Sequence, residues 1–204
     1  MHLELLVEEP SIEAALLHLL PKILPAGCTF AVRVFQGKKD LMARLPARLR
    51  AYARTLTADE RLVVLVDEDR QDCRALKGQL ERAALQAGLT TRSQELPGLP
   101  CQVLNRIAIE ELEAWFFGDI QALREVYPRL PESLGRKAGL RNPDAIPGGT
   151  WETLERVLQR AGYYPGGLSK IEVARQVAAR MEPARNSSRS FQVFRDGLQA
   201  LVQA

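Results

Sequence analysis

A run of five apolar residues followed at once by two aspartates is the feature that most constrains this fold. Leu62–Val66 contains only leucine and valine, and such a run is typical of a strand buried on both faces, as in a parallel sheet. Asp67 follows this run directly, and Asp69 follows after Glu68. Side chains at i and i+2 of an extended segment point the same way, so both carboxylates are expected to project from one strand end. Ligands of open α/β sheets gather at such ends. Paired acids there suggest a divalent cation, and a solvated acidic loop is the alternative.

Strands and helices alternate along the first 119 residues. The predicted strands are Leu3–Val7, Thr29–Phe35, the run ending at Asp67, and Cys101–Ile109. The predicted helices are Ile12–Leu20 with Ser11 as N-cap and Pro21 as its end, Leu41–Tyr52, Asp72–Gln86, and one that begins at Glu110. A loop is predicted at Leu96–Pro100. The alternation predicts an α/β fold, in which a parallel sheet of about four strands is flanked by helices.

The second part of the chain lacks strand signals and is more basic. An irregular connector is predicted over 128–149, followed by helices at Trp151–Ala161, Ser169–Arg180 and Ser188–Val202. We therefore predict an α/β acidic-site domain, residues 1–119, and a helical C-terminal region, residues 120–204, packed on it. The first part has 15 Lys and Arg against 17 Asp and Glu, and the second has 13 against 8. This asymmetry would suit a metal site beside a phosphate-holding surface, although solvated arginine-rich helix faces give the same count.

Composition excludes several classes of protein. No apolar run approaches the roughly 18 residues of a membrane span, and the first residues lack the basic segment of a signal peptide. Three cysteines, Cys28, Cys73 and Cys101, are odd in number and match no zinc-binding spacing. A reduced, cytoplasmic protein with no membrane association is therefore predicted.

Acidic residues follow other predicted strands as well. Glu8 follows the first strand, and Glu110, Glu111 and Glu113 follow the fourth. Any one of them has a simple structural explanation, since the first turn of a helix favours acids. Their recurrence at corresponding strand ends points instead to a carboxylate cluster of the kind that holds two divalent cations in phosphoryl-transfer enzymes.

The ordered combination of these motifs resembles the Toprim domain, which topoisomerases, primases and a group of nucleases share. Within the nucleases, the chain is most similar to the overcoming-lysogenization-defect type. It is more similar still to a bacterial family of unknown function related to Toprim. The segments that carry the resemblance are residues 6–13 (LVEEPSIE), 37–41 (GKKDL), 66–73 (VDEDRQDC), 107–119 (IAIEELEAWFFGD) and 186–191 (NSSRSF).

The resemblance implies roles for six acids. Glu8 matches the first-strand glutamate, a metal ligand or general acid/base, Asp67 and Asp69 match the metal-binding pair, Glu13 matches an acid of the nuclease branch, and Glu111 and Glu113 match the acidic block of the uncharacterised family. Glu9 departs from the pattern, because Toprim proteins usually have glycine there, and its side chain could crowd an approaching phosphate. Glu8, Asp67 and Asp69 are the implied catalytic residues, with Mg²⁺ or Mn²⁺ as the cofactor.

The implied function is that of a metal-dependent phosphodiesterase acting on nucleic acid. The resemblance also implies a separately encoded ATPase partner, as in bacterial defence modules. A non-catalytic Toprim-like subunit that binds or regulates such an ATPase is the alternative, and DNA and RNA are both open as substrates. A phosphoacceptor receiver domain is discounted, because Glu110, Glu111 and Glu113 occupy the place where a receiver needs a basic residue.

Four basic residues are candidates for binding the nucleic-acid backbone. They are Lys38, Lys170, Arg185 and Arg189. For Lys170, Arg185 and Arg189, the alternative is that they are ordinary solvated residues near the start of a helix. Ser169 and Ser187 or Ser188 would be the N-caps of those helices.

Overall fold

A computed structural model describes residues 1–94 and 100–203, and most of the predicted loop Leu96–Pro100 lies outside these residues. Within these ranges the chain forms four β-strands and eight α-helices. In chain order they are β1 His2–Val7, α1 Pro10–Ile23, β2 Thr29–Val34, α2 Lys38–Thr55, β3 Glu60–Asp67, α3 Cys73–Gln86, β4 Val103–Ala108, α4 Glu113–Gly118, α5 Ile120–Val126, α6 Thr150–Arg160, α7 Lys170–Arg180 and α8 Arg189–Gln203. None of these helices is long and apolar enough to cross a membrane.

The strands form one sheet in the order β2-β1-β3-β4, and every neighbouring pair is parallel. The predicted parallel sheet of four strands, flanked by helices and followed by a helical C-terminal region, is therefore confirmed. Successive connections run to opposite sides of β1, so the strand order reverses between β1 and β3. In open α/β sheets this switch point creates a crevice at the carboxyl ends of the strands.

The central strand β3 is buried on both faces. Leu62, Val64 and Val66 belong to the core beneath α2 and α3, whereas Val63 and Leu65 belong to the core shared with α1 and the C-terminal helices. All five side chains have no exposed surface. By the same alternation, the side chain of Asp67 falls on the side of α1 and the C-terminal helices.

Several helix boundaries differ from the prediction. Ser11 is not the N-cap of α1, because the helix begins one residue earlier, at Pro10, and Glu9 occupies the cap position. Proline is favoured in the first helical turn, where its missing N–H is not needed. Pro21 lies inside the last turn without ending the helix, and α2 starts directly after Gly37, ahead of the predicted start.

The C-terminal helices match the prediction closely. The predicted boundaries of α6, α7 and α8 differ from the structure by no more than one residue at either end, and the connector before them is irregular, with three short 3₁₀ turns. Ser169 caps α7 by accepting a hydrogen bond from the Glu172 N–H, and Ser188 accepts one from the Phe191 N–H at the start of α8. The predicted serine caps at these two sites are confirmed.

Candidate functional site: a carboxylate cluster at the β1–β3 switch point

Glu8 and Asp67 meet at the reversal of strand order. Glu8 follows β1, Asp67 ends β3, and the carboxylate of Glu8 accepts a hydrogen bond from the main-chain N–H of Asp67. The Glu8 side chain is buried, and this burial raises its pKa to about 7, while the Asp67 N–H and the Lys38 ammonium act in the opposite direction. Sequence reasoning correctly placed both acids at this edge of the sheet.

The Asp67 carboxylate is buried without a full set of partners. Only 4% of the residue is exposed, and in residues 1–94 and 100–203 Oδ1 has no hydrogen-bond partner. Burial raises the pKa of this carboxyl group well above its usual range, and the neighbouring charges of Glu8 and Glu113 raise it further. A buried polar atom without a partner costs free energy, so a proton or a cation would be favoured here.

Glu113 supplies a second buried carboxylate near Asp67. It lies in the first turn of α4, only 1% of it is exposed, and neither carboxylate oxygen has a hydrogen-bond partner within the described parts of the chain. Burial raises the pKa of Glu113 to about 7, against the attraction of Lys170. Its charge is among those that act most strongly on Asp67.

Asp69 lies in the turn that follows β3. The strand ends at Asp67, and the chain then turns through left-handed backbone conformations, with φ of 48° at Asp69 and 61° at Arg70. The alternation of an extended strand therefore stops before Asp69, yet the charge of Asp69 still acts on both Glu8 and Asp67. Asp69 is half exposed and forms an ion pair of 2.8 Å with Lys38, whose side chain is only 11% exposed.

Glu9 is a member of the cluster that sequence reasoning did not assign. Its carboxylate accepts a hydrogen bond from the Ser11 hydroxyl, and its charge acts on Glu8, Asp67 and Glu113. Its position directly after Glu8 was the available signal. Strand alternation would have directed it away from Glu8, but the strand has already ended and the chain is turning into α1.

Lys170 is the cation on the side of the C-terminal helices. Its Nζ lies 4.0 Å from a carboxylate oxygen of Glu111 and 4.9 Å from the centre of the Trp151 ring. Burial disfavours the charged ammonium, but the carboxylates of Glu113, Glu9 and Glu111 outweigh it and raise the pKa of Lys170. Lys38 and Lys170 thus flank the acids from two different elements.

Two other predicted acids have different surroundings. Glu111 accepts hydrogen bonds of 3.0 Å from the Thr150 hydroxyl and 2.9 Å from the Trp151 N–H, so it holds the N-terminus of α6. Glu13 lines a cavity formed by β2 and α2. Its charge is not among the main influences on Glu8, Asp67 or Glu113.

The two predicted arginines lie on other surfaces. Arg185 forms a two-pronged ion pair with the buried Asp119, with nitrogen–oxygen distances of 2.8 and 2.9 Å. Arg189 is exposed at the start of α8 and lines a groove beside β4. Neither is brought next to Asp67 by the contacts observed.

The carboxylates of the cluster suit a metal ion by their chemistry but not by their present positions. Among residues 1–94 and 100–203, no three His, Cys, Asp or Glu side chains converge in a way that could hold one as they stand. The unpartnered oxygens of Asp67 and Glu113 are nevertheless of the type that Mg²⁺ and Mn²⁺ prefer. No hydrogen bond from the described residues reaches those oxygens. A cleft of about 260 Å³, lined in part by Asp69, Glu110 and Glu111, opens beside them.

Comparison with known proteins identifies the family of the chain. No curated protein and no solved structure matches it. One family model matches residues 7–199, which includes every acid of the cluster. The chain therefore belongs to the family described as a domain of unknown function, DUF4276.

Proposed function

We propose that the protein is a divalent-cation-dependent phosphodiesterase that acts on nucleic acid. The observation that carries the proposal is the pair of buried carboxylates, Asp67 and Glu113, near Glu8 at the β1–β3 switch point. Asp67 Oδ1 and both Glu113 oxygens have no hydrogen-bond partner among the described residues. Buried acids are normally satisfied by hydrogen bonds, and exceptions concentrate at sites that bind or transform a ligand.

The proposed ligand set consists of Glu8, Asp67 and Glu113, with Glu9 beside them. A bound Mg²⁺ or Mn²⁺ would supply the positive charge that activates water and stabilises a phosphoryl group. Glu8 would bind the cation or, when it is not a ligand, act as a general base or acid, because its pKa of about 7 in the metal-free protein lets it exchange a proton near neutral pH.

Lys38 and Lys170 would bind phosphate oxygens on either side of the acids. Each ammonium is partly buried and already lies near a carboxylate of this region, Asp69 or Glu111. A phosphodiester entering between them would find opposite charge close to the acids. The proposal also includes a cytoplasmic site of action, which rests on the cysteine pattern, and a separately encoded ATPase partner, which rests on the sequence resemblance.

The test is a cleavage assay with supercoiled, linear and single-stranded DNA and with RNA, in Mg²⁺ or Mn²⁺ and in chelator. Asp67→Asn and Glu113→Gln are expected to lower the rate on the order of a hundredfold or more, the loss typical of a missing acid–base or charge-stabilising group. Glu125→Gln is the matched control, because Glu125 is exposed on α5 and outside the cluster. Equal residual activity in all four proteins would refute the proposal.

A non-catalytic subunit is the second candidate function. It is favoured by the absence, in the described parts of the chain, of three donors that already converge on one point, and by Glu9 where a phosphate would approach. In that case the cluster would bind a cation or a partner without hydrolysis. The expected result would be metal-dependent binding to an ATPase encoded by a neighbouring gene, with no cleavage under any condition of the assay.

A further inference from the structure

A groove runs along the outer edge of β4, between α3 and α8. We call it the β4 groove. Its volume is about 420 Å³, and its lining includes Cys73 and Lys77 of α3, Ile107 and Ile109 at the end of β4, and Arg189 and Val193 of α8. It is distinct from the carboxylate cluster, which shares none of these residues.

The edge of β4 offers main-chain groups to this groove. The bonds to β3 use even-numbered residues of this segment, since the carbonyls of Gln102 and Ala108 accept hydrogen bonds from β3 and from the residue after it. In a parallel ladder the main-chain groups of the odd-numbered residues then point to the other side. Ile107 therefore directs its N–H and C=O into the groove, because β4 is the last strand in the order of the described sheet.

The upstream part of the same edge is already covered. The carbonyl of Asn105 accepts hydrogen bonds of 2.7 Å from Lys77 and 2.9 Å from Arg106. Natural sheets protect their edges with such charged side chains. Protection here ends at Asn105, so the edge meets the groove at the next outward residue, Ile107, which lines the groove although only 9% of it is exposed.

Apolar and positively charged side chains surround this open edge. Val193 is 38% exposed, which is unusual for a valine on a helix packed against the core. In the described residues, Arg106 and Arg189 have no ion pair with a carboxylate. Asp144, the acid that lines the groove, is already bound by the Ser188 hydroxyl at 2.7 Å and by the N–H and hydroxyl of Ser190 at 2.9 Å.

We propose that the β4 groove binds an extended peptide segment of a partner protein, which adds to β4 as a fifth strand. Main-chain hydrogen bonds to Ile107 would align the segment, an apolar side chain would pack against Val193, and an acidic side chain would pair with Arg189. Strand addition of this kind combines main-chain affinity with side-chain specificity. The inference does not depend on the proposed phosphodiesterase activity.

The charges distinguish this occupant from two others. A second copy of the chain would bring another Arg106 and Arg189 to the same edge, and like charges oppose such pairing. Nucleic acid would satisfy the arginines, but it would gain little from the apolar wall at Val193 or from an open strand edge. An acidic and apolar peptide complements all three features.

The experiment measures binding of a short synthetic peptide in which valine and glutamate stand two residues apart, with threonine between them, so that both side chains point to the same face of the strand. It is expected to bind the full chain in the micromolar range and to slow hydrogen exchange at the Ile107 N–H. The same peptide with lysine for glutamate, or with N-methylated main-chain nitrogens, is expected to bind at least about tenfold more weakly. Val193→Glu and Arg189→Glu should cause a similar loss. Gln199→Glu is the matched control, because it adds the same side chain at an exposed position of α8 outside the groove.

Three outcomes would overturn the proposal. One is that no version of the peptide binds, or that all versions bind equally. Another is that sedimentation shows self-association of the chain, with Ile107 protected when no peptide is present. The last is that a single-stranded oligonucleotide, but not the peptide, protects Ile107 and loses affinity in Arg189→Glu.

Discussion

Two buried acids of this protein, Asp119 and Asp67, are equally hidden from solvent but differ in their partners. Asp119 accepts hydrogen bonds from the Ala122 and Glu182 N–H groups and a two-pronged ion pair from Arg185. Asp67 has an oxygen with no partner and carboxylates as its closest charges. One acid joins α5 to the segment before α8, and the other lies at the end of a strand facing more negative charge.

The difference distinguishes an acid that is buried to stabilise the fold from acids that are buried at a candidate functional site. Desolvating a carboxylate is costly, and Asp119 recovers that cost from donors that belong to the fold itself. At Asp67 and Glu113 the fold supplies too few donors, so their partner has to come from outside or the groups have to hold protons. Replacing each acid should therefore change stability in opposite directions.

The largest expected effect is on the free energy of unfolding in Asp119→Ala. The variant loses a helix cap and leaves Arg185 without its partner, so we expect a loss of about 3–4 kcal/mol. Asp67→Asn, measured with chelator, should instead gain about 1 kcal/mol, because it removes one of several like charges. Urea unfolding of both variants beside wild type checks this. A loss of stability in Asp67→Asn would mean that Asp67 has a structural role like that of Asp119.

The second effect concerns pH. Glu8 and Glu113 have pKa values raised from 4.5 to about 7 in the folded protein, so between those values the folded state binds more protons than the unfolded state. The free energy of unfolding must then fall as pH rises through this window. Without metal, we expect a decrease on the order of 2 kcal/mol from about pH 6 to about pH 7. Thermal melts across this range provide the measurement.

A double variant isolates this contribution. In Glu8→Gln with Glu113→Gln the decrease should become smaller, and the remainder should come from Asp67, whose pKa is also raised by burial. Glu125→Gln should retain the full decrease, since Glu125 is exposed on α5. Parallel curves for wild type and the double variant would show that these two carboxyls do not titrate abnormally.

Much of this geometry follows from the sequence because parallel strands align their carboxyl ends. The apolar run before Asp67 and the short strand before Glu8 were enough to predict the sheet and to place these two acids at one edge. The sequence did not reveal that Asp69 adopts a left-handed conformation with φ of 48°. The period of the strand therefore does not extend to Asp69, although its charge still acts on Glu8 and Asp67.

Long-range partners were beyond a reading of one sequence. Arg185 is a plausible phosphate ligand by composition, yet its guanidinium is bound to Asp119, 66 positions earlier in the chain. Glu111 lies in the most distinctive motif, yet it caps the N-terminus of α6. Such pairings depend on how the C-terminal helices pack against the sheet, and periodicity carries no information about that packing.

The smallest expected effect distinguishes Glu9 from Glu13, two acids of one segment that the fold separates. If the cluster binds Mn²⁺ only when folded, wild type should gain about 2.7 kcal/mol at a hundredfold excess over Kd. Glu9→Gln should reduce this gain by about 1 kcal/mol, because its charge acts on Glu8, Asp67 and Glu113. Glu13→Gln should leave it unchanged, because Glu13 lines the cavity between β2 and α2. Melting curves with chelator and with millimolar Mn²⁺ provide the comparison. A reduced gain in Glu13→Gln, with no change in Glu9→Gln, would place the cation at the β2 cavity and away from the switch point.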